Sequence, residues 1–184
     1  YQRIDIFETP EFGRVLPLDG NVMLAARDEF IYDEMIVHVP MAVHKEAKDI
    51  LVIGAGDGGV VRELTRYDRV ERIDLVEMDP QVVEACRAYL PGNACRMDDR
   101  RVHIYFENAL KFLRRCAEEY DLIIVDSSAP FGPSEALFTR EFYGVAAAWK
   151  VLNMRTRYYT ARLHGGAFYQ PAFLEEMLRE VEEH

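Results

Sequence analysis

A glycine-rich loop with an acidic residue inside it is the strongest chemical signal in the sequence. Residues 54–59 read Gly-Ala-Gly-Asp-Gly-Gly, directly after a β-branched run and before an amphipathic one. Glu77 stands 23 residues after Gly54, at the end of the next β-branched run. Glycines let a ligand approach the backbone, and an acid at this spacing accepts hydrogen bonds from ribose hydroxyls. The pattern predicts a nucleoside site, with a structural turn as the alternative.

Asp57 narrows the class of nucleoside. It lies inside the loop, where a dinucleotide would place its pyrophosphate, and a carboxylate there would face like charge. A nucleoside that carries a sulfonium and an amine suits the acid instead, so S-adenosylmethionine or a relative ranks above NAD or FAD. The alternative for Asp57 is a helix N-cap, which is compatible with ligand contact.

Asp126 supplies a third acid, at the end of a fourth β-branched run. Ligands of open α/β sheets bind outside the carboxyl ends of the strands, so we expect Asp57, Glu77 and Asp126 to point into one crevice. An amine would bind there as ammonium, and a carboxylate would accept its proton as it attacks. The alternative is that residues 126–128 only cap a turn. The Pro- and Gly-rich residues 130–133 are expected to form a stiff partial lid.

The elements that position these residues alternate between strand and helix from residue 49 onward. Predicted strands cover 49–53, 72–76, 102–106 and 121–125, and predicted helices cover 60–67, 81–90 (stopping at Pro91-Gly92), 109–118 and 138–149. This alternation predicts right-handed βαβ units. The fold class is therefore α/β, a Rossmann-like doubly wound parallel sheet like that of S-adenosylmethionine methyltransferases.

Residues 1–27 form a predicted N-terminal β-hairpin region with a turn at Asp19-Gly20-Asn21. A helix is predicted over residues 28–43, with Asp28 as its cap and Pro40 near its end. The Rossmann-like domain is assigned to residues 28–154, and residues 155–184 form a tail that ends in an amphipathic helix. Near Met154 no further strand follows, so we expect that a segment is absent there.

Composition excludes several classes of function. The 184 residues suffice for one domain, or one domain with a small appendage. A net charge of −10 repels nucleic acid and anionic membranes and tolerates cationic ligands, although charge alone favours simple solubility as its explanation. No apolar run is long enough to span a bilayer, and the N-terminus does not read as a signal peptide. Three cysteines without CxxC spacing predict free thiols and a cytoplasmic location, and the scattered histidines give no metal pair.

The chain resembles the polyamine aminopropyltransferases, spermidine synthases in particular. Matching stretches lie at residues 1–4, 12–20, 27–35, 54–59, 76–79, 89–91, 126–133, 137–138 and 142–143. The resemblance covers residues 1 to about 153. Residues 157–171 resemble the extreme C-terminus of the same family, in which a longer stretch separates the two parts.

The resemblance implies transfer of the aminopropyl group of decarboxylated S-adenosylmethionine to putrescine or a related amine, giving spermidine and 5′-methylthioadenosine. No metal or tightly bound cofactor is implied. By the same resemblance Asp126 is the general base, Asp57 holds the aminopropyl ammonium, and Glu77 binds the ribose.

Further residues carry roles only through this resemblance. Tyr32 would lie near the reacting amine, and Asp33 and Ser127 would help to bind the acceptor. Contacts with the nucleoside are implied for Gln2, Asn108, Ala109 and Pro133. Without the family, Gln2 reads equally well as a surface residue, and Tyr32 on an amphipathic helix reads more readily as a core residue. The N-terminal hairpins would pair between subunits, giving a homodimer or homotetramer.

The sequence departs from the family at the acceptor side. Ala129 stands where a second aspartate usually helps to hold the diamine, so acceptor binding is expected to weaken about tenfold or more. Asp33 replaces a His or Gln and returns a carboxylate, Asn108-Ala109 replaces Asp-Gly, and Met23 replaces a glutamine. The alternatives that stay open are an S-adenosylmethionine-dependent methyltransferase and a non-catalytic binder of polyamines or nucleosides.

Overall fold

A computed structural model describes residues 2–116, 120–126, 137, 139, 142 and the backbone of 157–159. The strands are β1 (Phe7–Thr9), β2 (Gly13–Leu18), β3 (Asn21–Ala25), β4 (Asp49–Gly54), β5 (Arg72–Glu77), β6 (Val102–Phe106), β7 (Leu122–Asp126) and β8 (Arg157–Tyr159). The helices are α1 (Glu29–Val43), α2 (Gly59–Leu64), α3 (Pro80–Tyr89), α4 (Pro91–Ala94) and α5 (Ala109–Arg115). Within these described residues, no helix is both long and apolar enough to cross a bilayer.

The N-terminal strands form an antiparallel sheet in the order β1-β2-β3. Leu18 pairs with Asn21, so Asp19 and Gly20 alone connect β2 to β3. Both turn residues have positive φ, 50° and 79°, as a two-residue hairpin turn that matches the twist of its strands requires. The predicted hairpin is confirmed.

The second sheet has the order β6-β5-β4-β7-β8, and all its described pairs are parallel. The predicted α/β class with a Rossmann-like parallel sheet is therefore confirmed. Strand order reverses at β4: the chain moves outward through β5 and β6, and then returns to β7 on the other side. Parallel strands end at the same edge, so the carboxyl ends of β4, β5 and β7 lie side by side there.

Both faces of the central strand β4 are buried, as in other parallel sheets whose helices cover both sides. Alternate residues of β4 belong to two cores. Ile50 and Val52 pack on the side that also includes residues of α1, α2 and α3, whereas Leu51 and Ile53 pack on the side of α5. This explains why β4 reads as a continuous apolar run.

The boundaries of the predicted elements shift by a few residues. The predicted helix 28–43 begins at Glu29, with Asp28 at the N-cap position but without a side-chain capping bond, and it includes Pro40. A four-residue helix, α4, follows the predicted stop at Pro91 and was not expected. The predicted helix 109–118 ends at Arg115, and the predicted helix 138–149 lies outside the described residues.

Strand β8 was missed by sequence analysis. It extends the sheet beyond β7, with Leu122 paired to Arg157 and Ile124 to Tyr159. The β-forming pair Tyr158-Tyr159 was the available signal. The link between Met154 and Arg155 lies outside the described residues.

Candidate active site

The glycine loop leaves β4 beside the end of β7. Gly54 pairs with Asp126 in the sheet, and the Ala55 N–H donates to the Asp126 carbonyl at 3.2 Å. Positive φ angles at Gly54, Ala55 and Gly58 (83°, 58° and 94°) then turn the chain into α2. Ala55 adopts the left-handed region that favours glycine, at a cost of roughly 1 to 2 kcal/mol. The loop is therefore fixed against the strand that carries the third acid.

Glu77, at the end of β5, packs its carboxylate against the loop. One carboxylate oxygen accepts a hydrogen bond from the Asp79 N–H at 2.9 Å. The other lies 2.8 Å from the position that a Cβ at Gly56 would occupy, so a side chain at position 56 would displace the carboxylate. Burial, with added repulsion from Asp79 and Asp57, raises the pKa of Glu77. The side chain is partly buried and well placed to accept from a ligand that enters over Gly56.

Gln2 joins this end of β5 across 77 positions of sequence. Its side-chain amide donates to the Asp79 carboxylate at 3.3 Å. Asp79 is buried, caps α3 through a 3.1 Å bond from the Gln81 N–H, and bonds Glu77 through its own N–H. Gln2 thus lies near Glu77 rather than on an isolated strand. Asp79 was not singled out from sequence, although Asp followed by Pro is a typical helix start.

Asp57 lies one residue before the N-cap of α2, which is Gly58. Its carboxylate accepts a hydrogen bond from the Gly59 N–H at 2.8 Å. The alternative of a capping role is therefore partly realised, since Asp57 satisfies the first amide of the helix. Burial raises the pKa of Asp57 and outweighs this bond, which lowers it.

Asp126 accepts a hydrogen bond of 2.5 Å from the Tyr32 hydroxyl of α1. Burial and the charge of Asp57 raise the pKa of Asp126 to about 7, although the Tyr32 bond acts in the opposite direction. Glu77 adds to the repulsion. The structure therefore brings Asp57, Glu77, Asp126 and Tyr32 together at one edge of the sheet.

The side chain of Asp33 points toward α2, whereas that of its neighbour Tyr32 points toward Asp126. It is 3% exposed, and its carboxylate lies so close to Gly59 that a Cβ at that position would collide with it. Burial and a hydrogen bond with Glu29 raise the pKa of Asp33 to about 10. The expected acceptor-binding carboxylate is thus packed against the backbone of α2.

Asn108 caps α5. Its side-chain oxygen accepts from the N–H groups of Leu110 and Lys111 at 3.0 and 3.2 Å, so the acceptor that we expected to contact the nucleoside is engaged by the helix. Ala109 is 7% exposed in the core beside β5 and β7. Three further expected site residues lie outside the described residues, namely Ser127, Ala129 and Pro133.

One group of side chains has the spacing of a metal site. Possible ligand atoms of Glu34, His38 and Glu63 lie within 4.8 Å of one another. Glu63 already binds the guanidinium groups of Arg62 at 2.9 Å and Arg66 at 2.6 Å. Two cations therefore already neutralise the carboxylate that a metal ion would need.

The parallel sheet, the glycine loop and the acids at the strand ends define a Rossmann-like α/β domain. A model of the spermine/spermidine synthase domain matches residues 29–180, and a model of the spermidine synthase tetramerisation domain matches residues 1–26. The chain belongs to the spermine/spermidine synthase family.

Individual relatives agree with this assignment. A polyamine aminopropyltransferase of Lachnoclostridium phytofermentans is 61% identical over 144 residues, which is 78% of this chain and 51% of the relative. A polyamine aminopropyltransferase of Clostridium beijerinckii is 60% identical over 144 residues, again 78% of this chain and 51% of the relative. The chain spans about half the length of these curated relatives. One of Lachnospira eligens is 40% identical over 255 residues, with 100% of this chain and 90% of the relative covered.

Solved structures of spermidine synthases share the fold. One, in complex with the transition state analogue AdoDATO, has a TM-score of 0.77 and 46% identity over 79% of this chain and 50% of that one. The spermidine synthase of Thermotoga maritima has a TM-score of 0.74 and 46% identity over 79% of this chain and 49% of that one.

Proposed function

We propose that this chain transfers the aminopropyl group of decarboxylated S-adenosylmethionine to putrescine or a related amine. The observation that carries the proposal is the acid cluster at the strand ends, in which Tyr32 holds Asp126 at 2.5 Å. Family membership supports the reaction class, and the AdoDATO complex of a similar spermidine synthase supports the donor.

The donor is proposed to lie across the glycine loop. Glu77, positioned by Asp79 and by the absence of a side chain at Gly56, would accept from the ribose hydroxyls. Asp57 would bind the aminopropyl ammonium, because a cation relieves the repulsion that raises the pKa of neighbouring carboxylates. Gln2 would contact the nucleoside from the side of Asp79.

The chemical step is proposed as an in-line displacement. The neutral amine nitrogen forms a bond to the aminopropyl carbon next to the sulfonium, and the carbon–sulfur bond breaks with its electron pair on sulfur. The products are spermidine and the neutral thioether 5′-methylthioadenosine. Asp126 accepts the amine proton, and its pKa of about 7 suits a base at neutral pH. Tyr32 orients the carboxylate, and positioning of both reactants supplies much of the rate.

The proposal also includes a homo-oligomeric assembly, a missing segment near Met154 and a cytoplasmic location. A homo-oligomer is supported by the match of residues 1–26 and by exposed apolar side chains in this region, namely Phe7, Phe12, Val22 and Met23. The absence of a segment near Met154 is supported by the alignment with the Lachnospira eligens relative, which is longer than this chain. A cytoplasmic location is supported by three free cysteines.

The test is incubation with decarboxylated S-adenosylmethionine and a panel of diamines, with 5′-methylthioadenosine measured chromatographically. We expect turnover with at least one diamine and a loss of about 10² to 10⁴-fold in Asp126→Asn. Asp98→Asn, which removes an exposed carboxylate paired with Arg87, is the matched control and should leave the rate unchanged. Absence of turnover with every amine would contradict the proposal.

The non-catalytic binder remains the second candidate, because the chain spans about half the length of its curated relatives. Calorimetric binding of the donor without turnover would favour it. Ala129→Asp, assayed in parallel, should improve the use of putrescine if the missing carboxylate limits acceptor binding.

A further inference from the structure

Asp33 lies beneath the glycine loop in a buried polar group that joins α1 to α2. The Arg62 guanidinium donates to both carboxylate oxygens of Glu29 at 2.9 Å and to Glu63 at 2.9 Å. The same guanidinium lies 3.6 Å from the Asp33 carboxylate. The side chains of Arg62 and Glu29 are 18% and 11% exposed, so these contacts are shielded from water.

Burial and the hydrogen bond with Glu29 raise the pKa of Asp33 to about 10, which favours its protonated form at neutral pH. Burial alone would raise the pKa of Glu29, but hydrogen bonds from Arg62 and Asp33 lower it. Glu29 is therefore the charged member of the Glu29–Asp33 pair. Asp33 therefore donates to Glu29. Asp57 from the loop and Asp126 from β7 also face Asp33 and favour its neutral form, whereas the Arg62 guanidinium at 3.6 Å favours the charged form.

The position of Asp33 connects this polar group to the loop. One of its carboxyl oxygens is buried without a hydrogen-bond partner in the described residues and occupies the space that a side chain at position 59 would need. Gly59 in turn donates its N–H to the Asp57 carboxylate at 2.8 Å. The carboxyl group of Asp33 thus packs behind the backbone amide that holds Asp57.

We propose that Asp33 is a positioning residue that fixes Asp57 through Gly59, and so sets the preference for a donor with a cationic tail. It does not touch the substrate in this role. The inference rests on the proposed function, in which Asp57 binds the aminopropyl ammonium. It differs from the expectation that Asp33 returns a carboxylate to the acceptor site, since its carboxyl group is buried and packed against α2.

Two ligands separate positioning from general structural support. Decarboxylated S-adenosylmethionine has a sulfonium and the aminopropyl ammonium, and 5′-methylthioadenosine has the same nucleoside with neither charge. We expect Asp33→Ala to bind the first about tenfold or more weakly and the second within about twofold of the wild type. Asp33→Asn keeps the size and a donor for Glu29, so it should retain the wild-type preference.

Gly59→Ala gives a second route to the same answer if Asp33→Ala folds poorly. The added Cβ would collide with the Asp33 carboxyl group and push it away from residue 59. Gly59→Ala should therefore lose the same preference for the cationic donor. Adding Asp33→Ala to Gly59→Ala restores the space, and the double variant should be no worse than Asp33→Ala alone.

Calorimetry with both ligands, on folded variants verified by thermal melts, decides the question. A selective loss of the cationic donor in Asp33→Ala or Gly59→Ala, with rescue by Asp33→Asn, supports the proposal. An equal loss of both ligands, or an unchanged preference, overturns it. A wild type without preference for the cationic donor contradicts the proposed function itself, which distinguishes the two failures.

Discussion

Tyr32 and Asp126 form the contact on which the proposed chemistry depends most. They lie 94 positions apart, on α1 and at the end of β7, and meet at 2.5 Å. Burial and the charges of Asp57 and Glu77 disfavour the carboxylate form of Asp126, whereas the tyrosine hydroxyl favours it. The balance gives Asp126 a pKa of about 7, which suits its proposed role as a general base at neutral pH.

Removal of the tyrosine hydroxyl should shift the pH dependence of the reaction. In Tyr32→Phe the bond that lowers the pKa of Asp126 is lost, so this pKa should rise above its value of about 7. The acid limb of kcat/KM, which reports the free enzyme, should move to higher pH. Tyr89→Phe, at an exposed position, is the control and should leave the limb in place. An acid limb at unchanged or lower pH in Tyr32→Phe would show that the hydroxyl does not support Asp126.

At the scale of elements, the loop between β4 and α2 packs closely against the end of β5. The carboxylate of Glu77 packs over Gly56, and the Asp79 N–H holds it there. A side chain at position 56 would displace the carboxylate from this place. Substitution of Gly56 should therefore weaken nucleoside binding, whereas substitution of a glycine with open space around it should not.

Gly56→Ala and Gly92→Ala form the matched pair. A Cβ at position 56 would lie 2.8 Å from the Glu77 carboxylate and displace it, whereas nothing lies within 4 Å of a Cβ at position 92. Binding of 5′-methylthioadenosine should weaken about tenfold or more in Gly56→Ala, because a hydrogen bond to a charged group is lost. Calorimetry should show no change in Gly92→Ala. Equal affinities in the two variants would remove Glu77 from the nucleoside site.

Sequence patterns were sufficient for the elements and insufficient for the contacts between them. The runs that became β4, β5 and β7 are β-branched with buried central residues, and β6 is a more exposed run of β-forming residues at the end of the sheet order, so all four were located to within a residue. The bond from Gln2 to Asp79 spans 77 positions and no local pattern encodes it. The side chain of Asp33 packs against α2 because of the way α1 packs on α2. Helical periodicity in the sequence does not determine that packing.

For the whole molecule, the concentration of acids at one sheet edge should shape the stability of the free protein. The pKa values of Asp126 (about 7) and Asp33 (about 10) lie above those of the unfolded chain, so the folded state binds more protons between about pH 4 and 7. Stability should therefore fall as pH rises through this window. Asp99, with a pKa lowered to about 2 by its bond with Arg101, opposes this trend only below about pH 4.

Thermal melts from pH 5 to 8 test this expectation. Each such carboxyl contributes at most about 1.4 kcal/mol per pH unit to the decline. In Asp126→Asn one of them is removed, so the decline should be shallower than in the wild type. A melting temperature that rises with pH, or an identical slope in Asp126→Asn, would contradict the assigned proton binding.

Calorimetry of donor binding at pH 7, in buffers of different ionisation enthalpy, tests the central electrostatic claim most directly. A cationic tail placed among these carboxylates lowers their pKa values, so decarboxylated S-adenosylmethionine should release protons as it binds, roughly half a proton from Asp126 alone. The uncharged 5′-methylthioadenosine should release far fewer. Equal proton release by both ligands, or proton uptake with the cationic donor, would contradict the account.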